Sequence, residues 1–307
     1  MMKLGFLSAI VPDLSFEEVI NYAAEQGFRS VELACWPVGK AERRYAGVTH
    51  IDVSALTVEK ISYIRQYVED RGIEISALGY YPNPLDEDLE QRKVYISHLE
   101  KVIEGASALG IGIVNTFIGR MQSKTLQENL LEYEKVWTPI VRLAEEKQVR
   151  IGIENCPMYF SMDEWPSGKN AAVSPAVWEE MFRIIPSSHL GLNYDPSHLV
   201  WQQMDYIKPI YEFKDRIIHI HIKDAKLYRD KLDRVGILAS PLEYHSPKLP
   251  GLGDIDWGKF ISALTDIRYD GHAIIEVEDK AYEATLESRQ YALCQSRDYV
   301  LPFIGGR

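Results

Sequence analysis

Apolar residues recur along this chain in two periods that alternate from one end to the other. Short runs in which every second residue is apolar predict β-strands, and longer stretches with apolar residues three or four apart predict helices. The predicted strands are approximately Lys3–Ala9, Ser30–Ala34, Ile73–Gly79 and Gly112–Phe117, followed by four that end at Glu154, Asp195, His221 and Glu276. A helical pattern follows each strand. Eight such βα units predict an α/β protein with a single (β/α)8 TIM barrel over residues 1–307.

Capping signals predict where several helices begin. Ser15 and Thr125 each precede a glutamate by three residues, which is the spacing of a capping box. Ser174 followed by Pro175 predicts another start, because proline is favoured at the first helical position. The remaining helices are expected at about Ser54–Asp70, Asp86–Leu109, Asp205–Phe213, Asp256–Arg268 and Glu283–Val300. A doubly wound sheet is the rival fold, but the first strand is not followed by a glycine-rich phosphate loop.

Four strands carry a residue that can bind a metal near their C-terminal ends. These are Glu154 in RIGIEN, Asp195 in LGLNYDPSH, His221 in RIIHIHIKD and Glu276 in HAIIEVE. Parallel barrel strands end at one face, where TIM-barrel active sites lie. A buried carboxylate costs several kcal/mol unless it is paired or bound to a metal. Each acid taken alone could form a separate salt bridge. The set of three acids and one histidine, taken together, predicts one divalent-metal site.

Alternation within these strands assigns each residue to one of two faces. The first face carries Ile151, Ile153, Leu192, Tyr194, Ile218, Ile220, Ile222, Ile275 and Val277. The second carries the metal-ligand residues together with Gly152, Gly191, Asn193, His219 and Ile274. We expect the first face to pack against the surrounding helices and the second to point into the barrel, with His219 one layer deeper than His221.

The chemistry of this ligand set indicates the ion and the reaction. Three carboxylates and one imidazole are mostly hard ligands, which favours Mn²⁺, with Mg²⁺, Co²⁺ and Zn²⁺ as alternatives. About two positions of an octahedral ion would stay open for adjacent hydroxyl and carbonyl oxygens of a sugar or polyol. The ion would polarise the carbonyl and stabilise an enediolate, while a flanking carboxylate removes the neighbouring proton.

Two predicted loops that follow ligand strands are unusually long. They span Asn155–Val173 and Lys223–Ile255, and long loops in compact domains are usually lids or binding loops. We expect both to cover the same mouth of the barrel. Their candidate substrate-binding residues are Trp165, Lys223 and His245, although such residues could also simply cover the mouth. Lys223 could bind a substrate oxygen or a phosphate, but no P-loop requires a phosphorylated substrate.

Composition restricts the classes of partner and the cellular location that we expect for the protein. The net charge of −11 over 307 residues argues against nucleic acid, which normally selects a basic surface. No apolar run approaches the roughly 20 residues that span a bilayer, and the N-terminal MMKLGFLSAIVPD is interpreted as a strand rather than a signal peptide. The three scattered cysteines predict neither disulfides nor a structural zinc site. A cytoplasmic location is expected, and a homo-oligomer is left open.

The ligand strands resemble a known family in their local motifs. IGIENCP, NYDPSHLVWQ, HIHIKDA and PGLGDIDW followed by IIEVED resemble the xylose isomerase-like TIM-barrel superfamily, which includes D-tagatose 3-epimerase-like enzymes and inosose dehydratases. The resemblance implies that Glu154, Asp195, His221 and Glu276 hold a Mn²⁺-type ion. It also implies that Glu154 and Glu276 act as acid and base on opposite sides of the substrate, and that His198 contacts the substrate.

The chain departs from the epimerase pattern at two positions, and these leave alternatives open. The epimerases have a substrate-binding glutamate after the strand-five ligand, where this chain has CPMYFSMDEWPSG, and an arginine after the HxH strand, where it has Lys223. The leading hypothesis is a metal-dependent sugar isomerase or epimerase that abstracts a proton next to a carbonyl. The alternative is a lyase, such as an inosose dehydratase or a keto-glycoside-cleaving enzyme. An endonuclease IV-like hydrolase ranks third, because only His198 and His219 are spare ligands.

Two further residues stay ambiguous in the sequence. Glu32 ends the second strand, where a role behind the ligands or in substrate binding and a simple surface salt bridge are equally supported. Cys156 directly follows Glu154, and we interpret it as a packing residue rather than a nucleophile.

Overall fold

A computed structural model describes residues 1–39, 46–159, 166 and 168–305. Eight parallel strands close into a barrel in which each strand pairs with the next along the chain and the last pairs with the first. The barrel strands are β1 (Lys3–Leu7), β2 (Ser30–Ala34), β3 (Glu74–Gly79), β4 (Ile113–Thr116), β5 (Arg150–Glu154), β6 (Leu190–Tyr194), β7 (Ile217–Ile222) and β10 (His272–Ile275). The predicted (β/α)8 barrel is confirmed.

Helices surround the barrel, and their starts follow the capping chemistry of the sequence. They are α1 (Phe16–Glu25), α2 (Val58–Glu69), α3 (Leu89–Leu109), α4 (Leu126–Glu146), α5 (Pro175–Ile184), α6 (Ser197–Val200), α7 (Lys208–Glu212), α8 (Arg229–Val235), α9 (Trp257–Asp266) and α10 (Leu286–Ile304). Both predicted capping boxes, at Ser15 and Thr125, are present. None of the described helices combines the length and apolarity needed to cross a bilayer.

Several predicted helix boundaries are wrong, and competing caps explain two of them. The helix expected from Ser54 begins at Val58, because Asp52 caps a separate 3-10 turn and Thr57 then caps α2. The helix expected from Asp205 is only Lys208–Glu212, since the Asp205 carboxylate instead accepts the backbone N–H groups of Ile207 and Lys208. The last helix extends to Ile304.

The two faces of the barrel strands are mostly as predicted. Ile151, Ile153 and Ile220 belong to the large core between strands and helices. Ile218 is an exception, because it packs with Ala77 and Ile113 in a separate cluster. The pairing of β6 with β7 shifts register between Leu192 and Asn193, and a one-residue shift moves a side chain to the opposite face. Ile218 therefore shares the interior with His219 rather than the outer face with Ile220.

The segment from Lys223 to Ile255, predicted as a loop, has structure of its own. It contains an antiparallel pair, β8 (Asp224–Leu227) and β9 (His245–Lys248), with α8 between them. Asp224 anchors this insertion, because its carboxylate accepts the N–H groups of Gly251 at 3.0 Å, Ile255 at 3.1 Å and the Trp257 indole at 3.0 Å. The insertion is thereby fixed to the C-terminal end of the barrel.

Candidate metal centre

The four predicted metal-ligand residues converge inside the C-terminal end of the barrel. One atom from each of Glu154, Asp195, His221 and Glu276 lies within 4.8 Å of the others. The residues are 2%, 0%, 0% and 9% exposed, respectively. Ligands at about 2.0–2.4 Å from a shared ion can be at most about 4.8 Å apart. The separations therefore fit one coordination sphere, although metal binding itself stays a prediction.

The hydrogen bonding of these atoms provides a second test of the fit. Glu154 Oε1, Asp195 Oδ2 and His221 Nδ1 are buried, and among the described residues none of the three has a hydrogen-bond partner. Buried polar atoms are nearly always paired, and the exceptions need a reason such as a catalytic role or a bound ion. Because these three atoms all face the same small volume, the donor set and its geometry suit a divalent cation.

The Lys223 ammonium lies among the same carboxylates. Its Nζ is 2.7 Å from Glu276 Oε2, 3.0 Å from Asp195 Oδ2 and 3.0 Å from Glu278 Oε2. Lys223 is 1% exposed, so these are buried ion pairs. Glu278, which follows Glu276 by two residues, is thus part of the charge balance of the site.

The electrostatic environment fixes the charge state of the centre. Burial alone would lower the pKa of Lys223, but Asp195, Glu276 and Glu278 outweigh it and hold that pKa well above its usual range. Burial likewise favours the neutral form of Glu276, yet the Lys223 ammonium and His221 lower its pKa to about 2. Lys223 is therefore a cation and Glu276 an anion at neutral pH.

A polar network behind His221 holds its ring in place. His221 Nε2 lies 3.0 Å from Glu32 Oε2, and the completely buried Glu32 also accepts from Asn115 Nδ2 at 2.9 Å and from the Tyr81 hydroxyl. A carboxylate that accepts the N–H of an imidazole leaves the other ring nitrogen free to face a metal. Glu32 thus orients Nδ1 of His221 toward the centre, which excludes the surface salt bridge as its role.

His219 lies deeper in the barrel, as expected. Its Nδ1 is 2.9 Å from Asn193 Oδ1 and its Nε2 is 3.2 Å from the Ser76 hydroxyl. Burial lowers the pKa of His219 well below its usual value, so the ring is neutral. Since both ring nitrogens have protein partners, His219 belongs to the polar network behind His221. It is not part of the cluster of four formed by Glu154, Asp195, His221 and Glu276.

His198 and Cys156 border the centre on the side of β5 and β6. His198 Nε2 is buried without a hydrogen bond and lies 3.3 Å from Asp195 Oδ2 and 3.7 Å from Glu154 Oε1. The Cys156 sulfur lies within 4.8 Å of the ligand atoms of Glu154 and His198. Burial raises the pKa of the Cys156 thiol, which supports the packing interpretation over a nucleophile.

The candidate substrate-binding residues of the two long segments lie in different places. Lys223 lies in the centre itself. His245 lies at the mouth, where its ring stacks on Trp201 at 4.8 Å and burial lowers its pKa to about 4. Trp165 is outside the described residues. Sequence reasoning missed Trp201 and Tyr81, although both are aromatic residues that follow the C-terminal end of a barrel strand.

The described parts of the two long segments meet at this mouth. Tyr159, from the first, makes an edge-to-face contact with Trp201 at 6.2 Å. His245, from the second, stacks on the same indole. The two segments therefore cover the C-terminal end of the barrel together, where the four carboxylate and imidazole side chains converge.

A closed parallel barrel with acidic and imidazole side chains at its C-terminal end defines a TIM-barrel protein with a candidate metal centre. The family model of the xylose isomerase-like TIM barrel matches residues 20–293. The chain belongs to this family.

Individual relatives agree with the family assignment. The uncharacterized protein YfiH of Bacillus subtilis (strain 168) is 26% identical over 305 residues, covering 91% of this chain and 93% of that protein. An inosose dehydratase of Clostridium tetani (strain Massachusetts / E88) is 21% identical over 302 residues, covering 93% of this chain and 89% of that protein. A crystal structure of D-psicose 3-epimerase in the presence of D-fructose superimposes with a TM-score of 0.72 at 16% identity, covering 99% of this chain and 100% of that chain. At that identity, the structural likeness establishes the fold alone.

Proposed function

We propose that this protein is a divalent-metal-dependent isomerase or epimerase that removes a proton next to the carbonyl of a keto sugar or polyol. The observation that carries the proposal is the convergence of four oxygen and nitrogen atoms within 4.8 Å, three of them buried without a hydrogen bond among the described residues. When bound there, a divalent ion polarises a carbonyl oxygen and stabilises the negative charge that develops beside it. Mn²⁺ suits the donor set best, with Mg²⁺, Co²⁺ and Zn²⁺ as alternatives.

The residues of the chain supply the proton transfers. Glu276 is anionic at neutral pH, as its lowered pKa requires, and can accept a proton from the carbon beside the carbonyl. Glu154 comes from β5, three strands away from β10 around the barrel, and can return a proton from another side. The unpartnered Nε2 of His198 is suited to hold a substrate hydroxyl. Inversion at the carbon follows when the proton is removed by one carboxylate and returned by the other.

Dehydration is a second candidate, which the position of Lys223 favours. Its ammonium, 2.7 Å from Glu276, can donate a proton to a hydroxyl leaving from the carbon next to the deprotonated one. The C–H proton then goes to the carboxylate, the C–O bond breaks, and water leaves. A full-length relative is an inosose dehydratase, which supports the same outcome.

Proton NMR in D₂O distinguishes the two candidates. We expect Mn²⁺-loaded protein to exchange the proton next to the carbonyl of one compound in a panel of free ketoses, inososes and 3-keto-glycosides. Incorporation of deuterium into an epimerised sugar supports the leading proposal, whereas loss of water or of the aglycone supports the lyase. EDTA should abolish exchange and Mn²⁺ should restore it. Exchange that persists after complete removal of metal would contradict both.

A second test concerns Glu32. We expect Glu32→Gln to weaken Mn²⁺ binding about 10- to 100-fold, the usual cost of losing the partner of a metal-bound imidazole. The reason is that the amide keeps the size of the side chain but loses the charge that fixes the His221 ring. Mn²⁺ affinity is measured by chelator competition, and the visible spectrum of the Co²⁺-loaded protein reports ligand geometry.

Ser76→Ala is the matched control for Glu32→Gln. Ser76 bonds to His219 at the far end of the same network, so its loss tests for general loosening of the barrel interior. We expect unchanged Mn²⁺ affinity and an unchanged Co²⁺ spectrum. Equal losses in the two variants would mean that Glu32 only supports packing.

A further inference from the structure

A cleft of about 360 Å³ opens beside the candidate metal centre. Aromatic rings of Tyr159, Trp201 and Tyr244 and the polar side chains of Arg120, Gln202 and Gln203 are among the groups that line it. This volume is in the range of small-molecule sites, which combine apolar walls with a few placed polar groups. The four candidate ligands, His198 and Lys223 are not among its described lining residues, so the cleft lies next to the centre and is distinct from the coordination sphere.

Arg120 is the unusual member of this lining. Its Nε is buried and has no hydrogen-bond partner among the described residues, and within them the guanidinium forms no ion pair. A buried polar group without a partner costs free energy, and more so when it is charged. An arginine in this state is suited to a carboxylate or a phosphate, either of which it binds through two parallel hydrogen bonds.

The backbone that carries Arg120 is held firmly. The Asn83 side chain accepts from the Arg120 N–H at 2.8 Å and donates to its carbonyl at 3.0 Å. The preceding Gly119 has a φ of +85°, and a Cβ there would overlap the Asn83 side chain. Since ordering a loop is one of the costs of binding, a backbone that is already fixed at Arg120 lowers that cost.

The charges around the cleft favour an anion. None of the described residues that line it is acidic. Arg229 donates to Gln203 Oε1 at 2.7 Å, which places a second guanidinium at the rim. Lys223, which the sequence offered for a phosphate, is instead paired with carboxylates in the centre. Lys223 is thus not free to receive an anionic group, whereas Arg120 forms no ion pair among the described residues and is suited to receive one.

The cleft adjoins the centre through a single layer of side chains. Trp201 lines the cleft, and its indole also approaches the His198 ring edge-on, with centroids 6.5 Å apart. Asn170, also in the lining, donates to the carbonyls of Glu154 at 2.9 Å and Cys156 at 2.7 Å. A substrate with its carbonyl at the centre can thus extend past Trp201 into the cleft.

We propose that the cleft binds a carboxylate or phosphate group carried by the substrate, and that Arg120 is the residue that selects it. The substrate class is then an anionic keto sugar or polyol, a sugar acid or a sugar phosphate, rather than a neutral ketose. The inference deepens the proposed function and rests on it, because it takes the reacting end of the same molecule to lie at the centre.

Calorimetric titration of the metal-free protein with three matched polyols tests the cleft without any reaction. The probes are neutral D-glucitol, D-gluconate with a carboxylate, and D-glucitol 6-phosphate, at constant ionic strength. We expect one or both anions to bind at least about 10-fold more tightly than D-glucitol, the size of a charge-assisted hydrogen bond. The preferred anion identifies the source of the negative group.

Arg120 variants assign the selectivity to this residue. Arg120→Gln should abolish the preference for the anion, and Arg120→Lys should retain part of it. Arg65→Gln is the control, because Arg65 lines a groove at the opposite end of the barrel, beside the N-terminal ends of β3 and β4. It should leave the preference intact.

Three results would overturn the inference: equal affinity for all three polyols, no binding of any, or an anion preference that survives Arg120→Gln. Thermal unfolding of each variant shows whether it is folded. Because these titrations need neither metal nor turnover, their failure leaves the proposed function untouched. Conversely, absence of Mn²⁺ binding or of proton exchange would remove the proposed function while the titration still reports on the cleft.

Discussion

Replacing Glu276 by glutamine should slow exchange of the substrate proton with solvent by about 10²- to 10⁴-fold, the usual contribution of a general acid or base. The amide retains an oxygen that can still approach an ion weakly, but it cannot accept the proton. Glu154, Asp195 and His221 remain in place, so part of the metal affinity should persist. Exchange is followed by NMR in D₂O, and Mn²⁺ content is measured on the same sample.

Glu278→Gln is the matched control for this experiment. Glu278 lies two residues further along and approaches the same Lys223 at 3.0 Å, but it is not part of the cluster of four. We expect it to keep exchange within about tenfold of the natural protein, below the range for general acid–base catalysis. Near-normal exchange in Glu276→Gln with Mn²⁺ retained would leave Glu276 without a catalytic role. If that variant loses its Mn²⁺, Glu154→Gln takes its place.

The residues of the cluster of four could be identified from the sequence because each has a local signal. Every one stands within one residue of the C-terminal end of a strand, and the strands alternate with helices. In a parallel barrel, that arrangement alone brings the ends of distant strands to one face. Asp195 and His221 could therefore be placed together without knowledge of any contact between them.

The roles of Glu32 and Lys223 depend on contacts that carry no local signal. Glu32 is 189 residues from His221 along the chain, and only closure of the barrel brings β2 opposite β7. Lys223 follows a strand end, as a substrate-binding residue would, but its length carries the ammonium back among the carboxylates. Alternation predicts on which side of a strand a side chain lies. It does not predict which residue that side chain contacts across the barrel.

Register shifts and caps account for the remaining differences. Ile218 was assigned to the outer face by strict alternation, and the shift in β6–β7 pairing moved it inward. The β8–β9 pair was missed because its strands are four residues each and one contains Pro247. Short strands with proline do not show the period of two that identifies a strand.

Lys223→Met should destabilise the metal-free protein by about 3–5 kcal/mol, the usual cost of removing one partner from a buried ion pair. The ammonium is the countercharge for Asp195, Glu276 and Glu278, and methionine fills similar space without charge. Near 300 residues, this predicts a fall in the melting temperature of about 5–8 °C. Differential scanning calorimetry in EDTA measures it.

The stabilisation that Lys223 provides depends on pH, and the lowered pKa of Glu276 gives the direction of that dependence. The pKa of Glu276 falls from 4.5 to about 2 in the folded protein, so its contribution is present above about pH 5 and is lost as the pH decreases toward 2. In Lys223→Met the main cause of the lowered pKa is absent. The natural protein and the variant should therefore differ most near neutral pH and converge in acid.

Added Mn²⁺ should restore much of the stability of Lys223→Met, because a divalent cation balances the same carboxylates that the ammonium balances. A saturating ligand at about 100 times its Kd stabilises by about 2.7 kcal/mol, and the variant should gain more than the natural protein, in which the ion competes with Lys223. Lys226→Met is the control: the same substitution at Lys226, the exposed residue of β8, should change stability by about 0.5 kcal/mol or less. A Lys223→Met protein that is as stable as the natural one in EDTA would show that the carboxylates do not need the ammonium. A destabilised variant that Mn²⁺ fails to stabilise would show that the four converging side chains do not form a metal site.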